Sequence, residues 1–256
     1  MCMFKSMLLL KDKVFCPNYD SHEDMINETG MEHGPMRENF VRVEITPPDD
    51  DLTVPIDKWE YKVDQDYLPE WYVEEVDKPR CFDALKAWAV KHILVGQDVP
   101  EVKRDKFVVL VNCNTGIVKG TVKVYGGAVQ EAWGDATVEV YSGGTVQVVR
   151  CGTVKVYRGG TVQEAGGDIV EVYAGGTVQE VRDGTVEVYG GIVQEAWGGT
   201  VKVYRGGTVQ EAWCGTVEVY RGTVQEQFGG IVIYADGHIS VCNKNFYRLI
   251  TPEEMK

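Results

Sequence analysis

The chain has 256 residues, of which 44% are hydrophobic and 10% aromatic, and a formal net charge of −13. That length supports one large domain or two ordinary ones, and that apolar content excludes wholesale disorder. No run approaches the ~18–20 apolar residues of a membrane helix. The excess of acid argues against nucleic acid or an anionic membrane as a direct partner.

The opening stretch MCMFKSMLLLKDKVFC has a short apolar run interrupted by Lys5 and followed by Lys11, Asp12 and Lys13. It has no small-residue cleavage site, so it reads as a β-hairpin turning at Lys11–Lys13 and not as a signal peptide. A cytoplasmic protein is the expectation. DSHEDMINETG opens with helix-capping residues and stops at Gly30, which predicts a helix. NFVRVEIT and DKWEYKV alternate with period two and predict strands. KPRCFDALKAWAVKHIL predicts a second helix, with Pro79 in its first turn and Phe82, Leu85, Ala89 and Ile93 on one face.

Charge is unevenly placed. Residues 1–105 hold 23 acids and 13 bases, whereas residues 106–256 hold 16 and 13, so the acid belongs to the first part. From Glu44 to Asp77 twelve acids meet two bases, with Trp59, Tyr61, Tyr67, Trp71 and Tyr72 interleaved. Two readings stand. The acids Asp49, Asp50, Asp51, Asp57, Glu60, Asp64, Asp66, Glu70, Glu74 and Glu75 form a docking surface for a protein partner of basic character, or this is a solvated loop whose aromatics point inward.

Of 29 glycines, 26 lie between Gly116 and Gly237, marking a region of tight turns at short intervals. Within it, phrases centred on a valine recur every seven to nine residues, most often eight, from Val122 to Val232. A fixed short period of this kind is the signature of a solenoid. In TVKVY the valines share one face and Thr, Lys and Tyr the other, so Val points in and Tyr out. This spelling alternates with TVQEAW, which makes the larger period about sixteen and predicts two octads per coil, with each spelling stacked in its own sheet. Regular alternation would put the Glu of TVQEAW inside a thin valine core, so a β-bulge at Gln-Glu is expected to keep Ala in and Trp out.

Stacking then generates columns. One sheet should carry Lys123, Glu139, Lys155, Glu171, Glu187, Lys202 and Glu218, opposite charges being neighbours at most steps. Beside it run Tyr141, Tyr157, Tyr173, Tyr189, Tyr204 and Tyr220. The other sheet carries Trp133, Trp197 and Trp213. These aromatic columns are the candidate oligomerisation face. The divergent segment HISVCNKNFYRLITPEEMK is expected to cap the open end.

Candidate chemistry is sparse. Seven cysteines (Cys2, Cys16, Cys81, Cys113, Cys151, Cys214 and Cys242) form no CxxC pair and read as reduced thiols, so no zinc site is expected. Turn acids are too irregular for the calcium sites of β-rolls. The glycines make no phosphate cradle. His22 beside Asp20, Glu23 and Asp24 reads as a helix start. No catalytic residue, metal or cofactor is predicted.

The segment from Tyr61 to Phe82, YKVDQDYLPEWYVEEVDKPRCF, followed by valine octads, resembles uncharacterised proteins of bacteria and their phages. The resemblance implies a small N-terminal α+β domain joined to an octad β-solenoid, and a mobile-element setting; it brings no activity.

The expectation is therefore an acidic α+β domain over 1–105, a parallel β-solenoid (a β-roll with two octads per coil of about sixteen residues) over 106–237, and a C-terminal cap over 238–256. The leading functional reading is a non-enzymatic interaction scaffold that forms a homodimer through a solenoid face and uses its acidic domain to bind or block a partner. One alternative makes the N-terminal domain an enzyme or small-ligand binder built on His22 and the acids of 44–77. Another is a rod that polymerises end to end.

Overall fold

The computed structural model describes residues 5–31, 39–243 and 246–250. Contacts divide the chain into two compact units, Met1–Ile93 and Leu94–Lys256.

The first unit is built on a four-stranded antiparallel sheet in the order β2-β1-β3-β4, with β1 Lys5–Leu10, β2 Val14–Phe15, β3 Phe40–Thr46 and β4 Glu60–Val63. Strand β1 is buried along its whole length, and its run Met7–Leu10 is apolar on both sides because both faces are covered. Met7 and Leu9 pack with Val41, Val43 and Ile45 against Cys81 and Leu85 of α2 (Glu74–His92), while Leu8 and Leu10 pack with Phe40 against Met25 and Ile26 of α1 (His22–Thr29). Helix α1 starts as the capping residues require, with Ser21 Oγ accepting from the Asp24 amide at 3.2 Å, and it ends on Gly30 in the left-handed region.

Helix α2 departs from expectation. It begins at Glu74, so Pro79 lies inside it and not in its first turn. The early start is held by Asp77, whose carboxylate accepts from the Val73 amide at 2.9 Å, and by Glu74 and Glu75 beside it in the first turn. Pro79 is exposed, and with no N–H it leaves the Glu75 carbonyl without its intrahelical donor. The buried stripe runs Cys81, Leu85, Ala89, with Phe82 beside it and half-buried.

The second unit is the parallel β-solenoid. Val154 pairs with Val138 below and Val170 above, sixteen residues in each direction, and the two spellings stack apart. Strands such as Thr153–Val156, Ile169–Tyr173 and Thr185–Tyr189 form one sheet, and Thr161–Ala165, Thr177–Val181 and Ile192–Ala196 the other. Each coil sends two side chains per strand into a core of valine and alanine, from Val122 to Val232, with nearly all fully buried. The bulge is present in every such strand between Thr161 and Ala212: Val162 and Ala165 point inward with Gln163 and Glu164 both outward, and the pairing runs Val162 to Val178, then Glu164 to Glu180.

The roll starts earlier than its glycines. Val99–Val102 already pairs in parallel with Phe107–Val118, which runs unbroken round a corner and stacks under Thr121–Ala132. At the far end Ile239–Asn243 adds antiparallel to Gly230–Tyr234, and Phe246–Ile250 adds antiparallel to Ile239–Asn243, closing the parallel series on that sheet. Residues 251–256 of the expected cap lie outside the described residues, as do Cys2 and His33.

The charge column follows the predicted register. Lys155 pairs with Glu139 and Glu171, and the ion-pair distances are 3.7 Å for Lys123–Glu139, 3.5 Å for Lys155–Glu171 and 3.2 Å for Lys202–Glu187. Lys155→Glu turns two attractive steps into repulsive ones and is expected to cost ~1–3 kcal/mol, against less than ~1 kcal/mol for Lys155→Met. Thermal melts of both variants by circular dichroism check this, and added salt should narrow the gap.

Candidate functional site

The solenoid presents two outer faces with different chemistry, and the predicted oligomerisation residues divide between them. The tyrosine face carries three parallel columns. Threonines 121, 137, 153, 185, 200 and 216 form the first, with Ile169 taking the place of a threonine in the middle. The Lys/Glu column is second. The third is a stack of rings from Tyr125 to Tyr220, with centroids 4.3–5.7 Å apart and planes within 21°. That spacing is the sheet's own strand separation of ~4.8 Å, so the rings stack because the backbone stacks.

Each glutamate of the column also holds its tyrosine. The hydroxyls of Tyr141, Tyr173, Tyr189 and Tyr220 donate to the glutamate two residues earlier at 2.6–2.9 Å. A glutamate such as Glu187 thus accepts from the ring of its own strand and from the lysine of the next, and both interactions hold its carboxyl below the ordinary range. Sequence reasoning found the columns but missed this link; its signal was that every Tyr preceded by Glu has that Glu two positions back.

The opposite face is acidic. Glu164, Glu180, Glu195, Glu211 and Glu226 stand in register, each directly above the last. Arg182 bridges two of them, 3.2 Å from Glu164 and 2.8 Å from Glu180. Trp133, Trp197 and Trp213 lie along the edge, and the indole N–H of each donates to the glutamate two residues back at 2.6–2.9 Å. Trp197 stacks on Trp213 at 4.8 Å, and Arg150 covers Trp133 at 5.5 Å. The column of like charge was not foreseen, although the repeated QE spelled it.

In the first unit the ten acids expected to dock a partner, Asp49 to Glu75, all face solvent. Of the aromatics among them, Trp59 is buried and donates its indole N–H to the Val54 carbonyl, and Tyr61 and Tyr72 pack inward with hydroxyls 3.2 Å apart. Tyr67, Leu68, Val73 and Val76 are exposed between Asp66 and Asp77, so this stretch mixes acid with uncovered apolar surface.

His22 does not gather its sequence neighbours. Asp20 pairs with the buried Lys5 at 2.6 Å. His22 instead meets Glu44 and Asp64, their donor atoms lying within 4.8 Å of one another, and its Nε2 faces the Val43 carbonyl at 3.3 Å. Lys62 stands 3.6 Å from Glu44 and 3.7 Å from Asp64, so a cation already sits against both carboxylates. The thiols of Cys16 and Cys81 are pushed up to about 11 and about 12 by burial, which keeps them protonated and poorly nucleophilic. Among the described residues, no helix is long and apolar enough to cross a membrane. No family model, curated protein or solved structure matches the chain.

Proposed function

We propose that this protein is a non-enzymatic interaction scaffold: the solenoid self-associates through its tyrosine face and the N-terminal unit offers an acidic surface to a basic protein partner. The observation that carries the reading is the stretch from Asp49 to Val76, where ten acids face solvent and Tyr67, Leu68, Val73 and Val76 are exposed beside the last of them. A surface of this kind steers a basic partner by charge and holds it by apolar contact. The mobile-element setting implied by the resemblance would make that partner a host protein that is blocked or sequestered.

The test is affinity capture with the full chain and with a variant in which the ten acids are changed to Asn or Gln. Capture of a basic protein at low salt that is lost in the variant and weakened at high salt supports the acidic docking surface. Capture unchanged by neutralisation rejects it. A second reading, a ligand-binding N-terminal unit, is favoured by the meeting of His22, Glu44 and Asp64. A metal or metabolite that raises the melting temperature of the chain, with the gain lost in His22→Ala, would put that reading first.

A further inference from the structure

The order of charges along the tyrosine face has a symmetry that sequence repetition alone does not require. From Lys123 to Glu218 the column reads Lys, Glu, Lys, Glu, Glu, Lys, Glu, with Glu171 at its centre. Reversing it exchanges lysine for glutamate at every position but the centre. Lys123 mirrors Glu218, Glu139 mirrors Lys202, and Lys155 mirrors Glu187. The neighbouring column is symmetric about the same rung, three threonines on either side of Ile169, which shares a strand with Glu171 and is 40% exposed.

We infer that two copies of this chain pair face to face and antiparallel, about a twofold axis that runs along the Ile169–Tyr173 strand. This deepens the self-association proposed above and rests on it. Such an axis sets Thr against Thr, Tyr against Tyr, and the charge column against its own reversal, so that six of its seven rungs meet an opposite charge. The parallel alternative sets like charge against like at all seven. Opposed pairs fix orientation more than they add affinity, and juxtaposed like charges exclude the wrong arrangement. At the axis the two Glu171 carboxylates meet, each with its own Lys155 at 3.5 Å, and the two Ile169 side chains supply the apolar centre that a threonine would not.

Size and contrast point the same way. Seven rungs at ~4.8 Å and five residues at ~3.3 Å make a face of roughly 30 by 16 Å; with side-chain relief that approaches the ~800 Å² per partner of a standard interface. The opposite face, with glutamate on glutamate from Glu164 to Glu226, would repel a second copy of itself in either direction.

Cross-linking tests the arrangement, in the full chain with Cys2, Cys16, Cys151, Cys214 and Cys242 changed to serine and the buried Cys81 and Cys113 kept. Residue 171 faces itself across the axis, whereas the two copies of residue 218 stand six rungs apart, ~29 Å. Glu171→Cys is expected to give cross-linked dimer as the main product with a short bismaleimide. Glu218→Cys alone should give none, and a mixture of Lys123→Cys with Glu218→Cys should give the mixed dimer. A two-copy mass by light scattering with residue 218 cross-linking as readily as residue 171 would overturn the antiparallel register while leaving self-association in place. A one-copy mass at high protein concentration would remove both. Melting curves of each variant establish that it is folded.

Discussion

Gly184→Ala is expected to destabilise the solenoid by ~2–5 kcal/mol, the sum of a left-handed backbone penalty of ~1–2 kcal/mol and a packing overlap of ~1–3 kcal/mol. Gly184 turns the corner between Arg182 and Thr185 with φ at 76°, and a methyl group there would run into the carbonyl oxygen of Gly167 in the coil beneath. That backbone has no room to yield, because the corners are bonded to each other. The Gly184 carbonyl accepts from the Thr200 amide at 2.9 Å, and the Asp168 carbonyl accepts from the Thr185 amide at 3.0 Å. Gly134 supplies the control. Its φ is 63°, but a methyl group there would meet open space, so Gly134→Ala should carry the backbone penalty alone, ~1–2 kcal/mol. Denaturant titration of the two variants measures the difference. Equal losses would mean that close stacking of the corners contributes nothing.

Raising the pH from about 10 to about 12 is expected to strip stability from the tyrosine face. Tyr157 is held up to about 12, first by burial and then by the charges of Glu139 and Glu171. Tyr141 is raised by burial first, and Tyr173 and Tyr189 first by donating to Glu171 and Glu187. In the unfolded chain a tyrosine ionises near its ordinary ~10. Below that pH both states keep the proton and the contribution is complete. Above it the unfolded chain sheds protons that the folded stack retains, so stability falls until the folded rings ionise as well. Allowing for solvent screening, Tyr141 and Tyr157 each contribute on the order of 1 kcal/mol. The melting temperature should therefore drop by about 4–8 °C across the window. Thermal melts followed together with tyrosinate absorbance check this, and Tyr157→Phe should flatten the drop. A melting temperature that stays level while the absorbance rises would show that the rings ionise without loosening the stack.

The solenoid was legible because one spelling per sheet leaves little choice. Two valines per phrase must share a side, the extra residue in TVQEAW must be absorbed by a bulge, and the lysine–glutamate order then tests the coil length. What the sequence hid was whatever did not repeat. Val99–Val102 and Phe107–Val118 begin the roll with no Val-Gly phrase and turn their corner without a glycine pair, so composition marked the solenoid as starting later than it does. The start of α2 was misplaced because Pro79 looked like a first-turn residue, whereas Asp77 could bond back to Val73 and carry the helix one turn further out. The meeting of His22, Glu44 and Asp64 was hidden for a different reason. It depends on the antiparallel pairing of β3 with β4 and on where the start of α1 lies against them, and no local pattern encodes that.

The hydrogen bonds that join one coil to the next point along the roll's axis, while each coil is a continuous length of chain closed by short turn bonds such as that from the Gly160 amide to the Tyr157 carbonyl at 2.9 Å. Tension applied between Leu94 and the far end would therefore load the rungs in series, and the weakest terminal rung would yield first. Each coil that peels away pays out about sixteen residues of slack, ~50 Å when extended, and leaves the next one intact. A fold assembled from near-identical storeys behaves under load as a ratchet of equal extensions, lengthening stepwise where a globular domain would give way at once.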